Sequence, residues 1–170
     1  MEKEINTGFE QFCINFYYDG FELTPSQLKD YKISLELMAK SFNSFLNSKF
    51  SLNEFAVNLN LSICDDRKIK ELNSEYRSKD NVTDVLSFPL QENLRGGDYD
   101  QITPEIELGD LYVCESVCRE QSKEFSISYQ EEFIHLSTHG FLHVCGYDHE
   151  ISETEEKLME SFEKEIILKM

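Results

Sequence analysis

The chain is short of positive charge. Sixteen Lys and Arg face 33 Asp and Glu, a formal net charge of −17, which argues against a protein that grips nucleic acid through overall basicity. No apolar run approaches the roughly 18 residues of a membrane span. The opening Met1-Glu2-Lys3-Glu4 has neither the basic nor the apolar region of a signal peptide. Five cysteines, Cys13, Cys64, Cys114, Cys118 and Cys145, are odd in number and hold no Cys-x-x-Cys pair. This excludes a simple disulfide framework and fits reduced, mostly buried thiols, so a cytoplasmic location with no membrane partner is expected. Repeats, low-complexity tracts and linkers are absent. The 170 residues are expected to form a single domain, 1–170, large enough to bury a substantial core.

Histidine is scarce as well, and its placement is informative. Three of only four histidines fall in His139-Gly140-Phe141-Leu142-His143-Val144-Cys145-Gly146-Tyr147-Asp148-His149. His139 and His143, spaced i, i+4, share one face of a helix about 6 Å apart along its axis. Gly146 can take the left-handed conformation that ends a helix, turning the chain so that His149 returns toward the other two. Three imidazoles with no fourth protein ligand are the open form of a zinc site. Zinc is expected ahead of nickel, iron or copper. The spacing fits His-Glu-x-x-His-x-x-Gly-x-x-His of the metzincin peptidases except that Gly140 replaces the glutamate that serves as general base there, so peptidase chemistry lacks its proton acceptor.

Neighbouring residues carry competing readings. Cys145 lies between two ligands in sequence, yet a small apolar residue packed behind the helix is the commoner outcome. His135, one further i, i+4 step along, is about 12 Å from His143 along the axis, too far to share one ion. A supporting or surface role is expected of it. Asp148 either orients an imidazole and accepts a proton or serves as a turn residue.

The stretch from His139 to His149 resembles the signature of the YbeY family, bacterial metal-dependent endoribonucleases linked to ribosomal RNA maturation. Two further stretches match in order: Leu72-Asn73-Ser74-Glu75-Tyr76-Arg77 with Thr83-Asp84-Val85-Leu86-Ser87-Phe88-Pro89, and Leu108-Gly109-Asp110-Leu111-Tyr112-Val113. Together they cover residues 55 to 150 approximately, the two ends fitting only in pattern. The resemblance implies a zincin-like core, zinc on His139, His143 and His149, and Arg77 as a functional arginine near the metal. It also implies ribosomal RNA and the small ribosomal subunit as partners, and a ribosome-associated GTPase as a further candidate.

Secondary-structure signals give an α+β chain, a small mixed sheet of about four strands with about five helices. Residues 9–18 read as a strand turning at Asp19-Gly20 into a hairpin with 21–23. Thr24-Pro25-Ser26-Gln27 is a capping box opening a helix to about Leu46. Residues 55–63 alternate as a half-buried strand. Asp65 or Asp66 caps a helix with Ile69, Leu72 and Tyr76 facing inward. A strand through 84–88 ends at Pro89, a polar loop spans 91–104, and Ile106–Val113 is another strand. A helix from Cys114 to about Lys123 places Cys114 and Cys118 on one face. Ser128 to Glu131 is a capping box for the metal helix, with Ile127 as a hydrophobic staple, and Ser152 opens a last helix with Leu158, Met159, Phe162 and Ile166 inward.

Charge is uneven. Residues 67–79 hold Arg67, Lys68, Lys70, Arg77 and Lys79 against Glu71 and Glu75. Thr83-Asp84 either caps and turns the chain before the strand or places Asp84 to hold Arg77 in an ion pair. Asp110, a carboxylate within a strand, needs hydrogen-bond partners and is either a structural acceptor or a partner of the metal helix. Phe88 either lies in the core or stacks a base. With the resemblance, these features point to a single-strand-specific, zinc-dependent endoribonuclease in ribosomal RNA processing. The resemblance implies late small-subunit 16S rRNA 3′-end maturation and ribosome quality control as the step, and the acidic charge implies weak affinity for free RNA. Arg77 would contact the phosphate, and the proton would leave through Asp148, a zinc-bound hydroxide or the RNA 2′-hydroxyl pathway. A ribosome-assembly factor with a mainly structural metal is the alternative, and a zinc peptidase a more distant one.

Overall fold

A computed structural model describes residues 3–50, 52, 54–97 and 104–170. In chain order it contains β1 (Glu4–Phe9), β2 (Phe12–Tyr17), α1 (Pro25–Lys49), β3 (Ala56–Cys64), α2 (Asp66–Arg77), β4 (Val85–Pro89), a 3₁₀ turn at Leu94–Gly96, β5 (Glu105–Cys114), α3 (Glu115–Glu124), α4 (Tyr129–Val144) and α5 (Glu153–Ile167). The strands form one mixed sheet in the order β1-β2-β3-β5-β4. β2, β3 and β5 run parallel, and β1 and β4 are antiparallel edges. The α+β expectation holds, with five strands rather than about four.

The additional strand shows where local signals mislead. The hairpin joins β1 to β2 through Glu10 and Gln11, not through Asp19-Gly20. Its first turn residue, Glu10, has φ 54°, a conformation usually given to glycine or asparagine. The Glu10 carboxylate accepts a 2.7 Å bond from the Asn43 amide of α1, which ties the turn to the helix. Caps behave as expected: Thr24 with Gln27 and Ser128 with Glu131 form full capping boxes, and the Asp65 and Ser152 side chains each accept one backbone N–H. α1 runs to Lys49, a turn beyond the expected end.

Alternation along β3 turns Val57, Leu59, Leu61 and Ile63 into the main core, beneath α1 and α4. β5 does the same with Ile106 and Leu108, then changes phase. A bulge sets Glu107 and Gly109 opposite consecutive β3 residues, so Leu111 and Val113 continue the buried face. Asp110 is thereby turned to the other face, where it accepts a 2.9 Å bond from Asn60. Asp110 is thus a structural acceptor away from the metal helix.

α2 covers part of that other face, over a small cluster of Cys64, Ile69, Leu72, Leu86 and Cys114. Tyr76 does not join the buried side; it is 62 % exposed at the helix end. Cys114 caps α3 and belongs to this cluster, whereas Cys118 lies in the main core, so the two do not share a face. Ile127 remains exposed because the position it would staple is Glu132. The expected polar loop begins with the 3₁₀ turn, and its residues 98–103 lie outside those described.

α4 is held by its apolar side. Phe133, Leu136, Phe141, Leu142 and Val144 are buried. Phe141 stacks face to face on Phe42 at 4.0 Å and meets Phe12 and Phe45 edge-on. The Tyr31 and Tyr129 hydroxyls share a 2.7 Å hydrogen bond joining α1 to the start of α4. Phe141→Ala is expected to lower stability by about 3–5 kcal/mol, read as a lower denaturant midpoint with an unchanged slope.

Candidate metal centre

Burying Phe141 and Leu142 leaves His139 and His143 on the open side of α4. Gly140, between them in sequence, faces the sheet. A β-carbon there would lie 3.0 Å from Leu111 Cδ2 and 3.3 Å from Val85 Cγ2. The residue that is a glutamate base in metzincins is here a glycine packed against the sheet.

α4 then ends in a Schellman turn. Gly146 has φ 92°, its N–H donates to the His143 carbonyl, and the Tyr147 N–H donates to Leu142, both at 3.0 Å. Tyr147 is buried, and Arg95 lies over its ring at 4.5 Å while pairing with Glu155. The Asp148 carboxylate accepts a 2.9 Å bond from the Glu150 N–H, which holds the turn around His149. These contacts bring His149 back. The three imidazole centroids are 4.8, 5.1 and 5.1 Å apart, and one nitrogen from each lies within 4.8 Å of the others.

The donor set fits a tetrahedral cation. His139 Nδ1 lies 2.6 Å from Glu163 Oε1 of α5. A carboxylate there demands a proton on Nδ1, so His139 Nε2 presents a lone pair. That Nε2 stands 3.2 Å from His143 Nε2. Two nitrogens sharing one tetrahedral zinc, each bonded at 2.0–2.1 Å, would be about 3.3 Å apart. Burial, with the charges of His139 and His149 adding, pushes the His143 pKa down to about 4, so this imidazole is neutral at pH 7 and able to ligate. Glu163 carries no local sequence signal toward histidines 24 residues upstream. Its one sign is a carboxylate inside the Met159, Phe162, Ile166 stripe of α5.

The triad opens into a cleft of about 690 Å³ that also takes in Arg77, Ser87, Asp84, His135 and Asp148. Arg77, the last residue of α2, reaches across the edge strand β4 and donates to the Ser87 carbonyl at 3.1 Å. The buried Asn73 amide donates to the Asn81 carbonyl at 2.8 Å, bracing the loop that follows Arg77. Asp84 does not pair with Arg77. Its carboxylate accepts from the Val85 N–H, the Thr83 hydroxyl and the Gln121 amide. His135 instead lies 3.5 Å from Glu132, a buried carboxylate whose pKa is raised by that burial. Cys145 is fully buried in the core and its thiol pKa is pushed up, so it takes no part in the cluster.

A family model described as Endoribonuclease YbeY matches residues 24–170, which extends the likeness over α1 and α5. Curated proteins named Endoribonuclease YbeY are similar over much of the chain. One from Acetivibrio thermocellus is 39 % identical over 142 residues, spanning 79 % of this chain and 85 % of its own. Another from Persephonella marina is 36 % identical over 147 residues, spanning 85 % and 88 %. A Thermotoga maritima protein solved in solution superposes with a TM-score of 0.53 at 25 % identity, covering 90 % of this chain and 88 % of that one.

The depressed His143 pKa has a thermodynamic consequence. Below pH 6.5 the unfolded imidazole takes up a proton that the folded one refuses until about pH 4. This group therefore costs stability progressively as pH falls from about 6.5 to about 4. Metal-free wild type is expected to lose more thermal stability over that range than metal-free His143→Asn, compared by unfolding midpoints at matched pH.

Proposed function

The chain belongs to the YbeY endoribonuclease family, and on that premise we propose that it is a single-strand-specific, zinc-dependent endoribonuclease of ribosomal RNA processing. Its step would be late 16S rRNA 3′-end maturation and quality control on the small ribosomal subunit, with a ribosome-associated GTPase as a candidate partner. The whole chain would act as one unit in the cytoplasm; no helix among the described residues is long and apolar enough to cross a membrane. The observation that carries the reading is the sharing of one cleft by three converging imidazoles and the Arg77 guanidinium.

His139, His143 and His149 would hold the ion, with the Glu163 carboxylate fixing the His139 tautomer. A zinc ion so held supplies Lewis acidity at a scissile phosphate. Arg77 offers a planar fork of donors that matches phosphate oxygens and stabilises charge accumulating on them. Its 3.1 Å bond to the Ser87 carbonyl aims the guanidinium before substrate arrives. Asp148 lines the same cleft and is the residue proposed to accept a proton; its charge already acts on His143.

An assembly factor with a mainly structural metal is the competing reading, favoured by the net charge of −17. A peptidase reading finds less support, because Gly140 offers no side chain to act as a base and its position packs against Leu111 and Val85. The test is cleavage of a precursor 16S rRNA 3′ fragment, with zinc counted in each preparation. Wild type should cut. Arg77→Ala should keep its zinc and lose about 2–4 kcal/mol of transition-state stabilisation, a 30- to 1000-fold slower cut. His143→Ala should lose both zinc and cleavage. Equal cutting by all three would leave the assembly-factor reading.

A further inference from the structure

Tyr76 is the most conspicuous side chain that the site does not use. It immediately precedes Arg77 and is 62 % exposed. Its ring meets the Phe88 ring edge-on at 5.2 Å and 68°, and Phe88 in turn meets Tyr112 at 6.0 Å and 77°. Phe88 and Tyr112 project from β4 and β5 on the α2 side of the sheet, and both pack against its small apolar cluster. The row of rings is thus anchored at its inner end and presents Tyr76 to water at its outer end.

The position of this row relative to the cleft gives it meaning. β4 is an edge strand, with the histidine cleft on one side and Tyr76 and Phe88 on the other. Arg77 spans the edge between them through Ser87. A strand whose phosphate lay against Arg77 would carry its next base over the edge toward Tyr76. Arg77 and Lys79, both lining the histidine cleft, supply positive charge at the start of this path. Among the described residues Arg67, Lys68, Arg77 and Lys79 are in no salt bridge, while Lys70 pairs with Asp80. Arg67 and Lys68 border a second cleft of about 520 Å³ that Tyr112 also lines, but Asp19, Asp65 and Asp110 line it too and offset their charge. Exposed aromatic rings beside free cations are the usual means of holding single-stranded nucleic acid, since every base has a face to stack. A base paired in a duplex has no such face free.

We propose that Tyr76, seated on Phe88, stacks an unpaired RNA base flanking the phosphate held by Arg77, and so selects single strands. This rests on the nuclease reading above. The chain contains no tryptophan, so Tyr76→Trp gives it a single tryptophan at the proposed contact, excited selectively over the remaining tyrosines. Zinc-loaded Tyr76→Trp is titrated with a short single-stranded RNA, with the same RNA annealed to its complement, and with a strand of the same length lacking bases. Emission should be quenched by the first alone. Tyr76→Ala should retain its zinc and raise KM for single-stranded RNA about five- to tenfold, and Tyr76→Phe should restore it. Unchanged tryptophan emission from an enzyme that still cleaves that RNA would overturn the stacking while leaving the nuclease reading intact. Equal quenching by the baseless strand would overturn it too, as a backbone effect. Absence of both quenching and cleavage would bring down the inference together with the reading beneath it.

Discussion

The burial of one side of α4 is the constraint on which the rest depends. A helix with Phe133, Leu136, Phe141, Leu142 and Val144 committed to the core has no rotational freedom left. Its remaining side must carry His139 and His143 outward over the edge of the sheet. Gly140 allows the close approach, because a larger residue would press on Leu111 and Val85. The Schellman turn at Gly146 and the anchored Tyr147 then give His149 a fixed return path. Packing of α4 thus sets the position of the triad.

An acidic chain can hold a polyanion only if its charge is sorted. α5 alone carries Glu153, Glu155, Glu156, Glu160, Glu163 and Glu165. Several of these are already engaged: Glu155 with Arg95, Glu165 with Lys49 and Lys169, and Glu163 with His139. At the cleft, Arg77 and Lys79 are in no salt bridge among the described residues. On the proposed reading, local geometry supplies phosphate recognition, and the overall charge keeps affinity for free RNA low.

The parts legible in the sequence were those whose physics is local. The i, i+4 histidines, the turn glycine and the N-caps each act within a few residues, and the structure places them as spacing implied. The unread parts depend on contacts between distant segments. Glu163 reaches His139 only because α5 folds back on α4. The β1–β2 turn uses Glu10 with positive φ, stabilised by an asparagine of α1, where a glycine signal sat at Gly20 instead. The β5 bulge inverted the facing of Asp110, and no alternation rule anticipates a bulge. Tyr76 satisfied the helical period, but α2 ends beside it and the sheet no longer covers that side.

X-ray absorption at the zinc edge of the metal-loaded chain tests the central claim most directly. Three imidazole shells at about 2.0–2.1 Å with oxygen completing the set are the predicted result. A sulfur shell near about 2.3 Å, or fewer than three imidazoles, would contradict the assignment of His139, His143 and His149 and the account of α4 built on it.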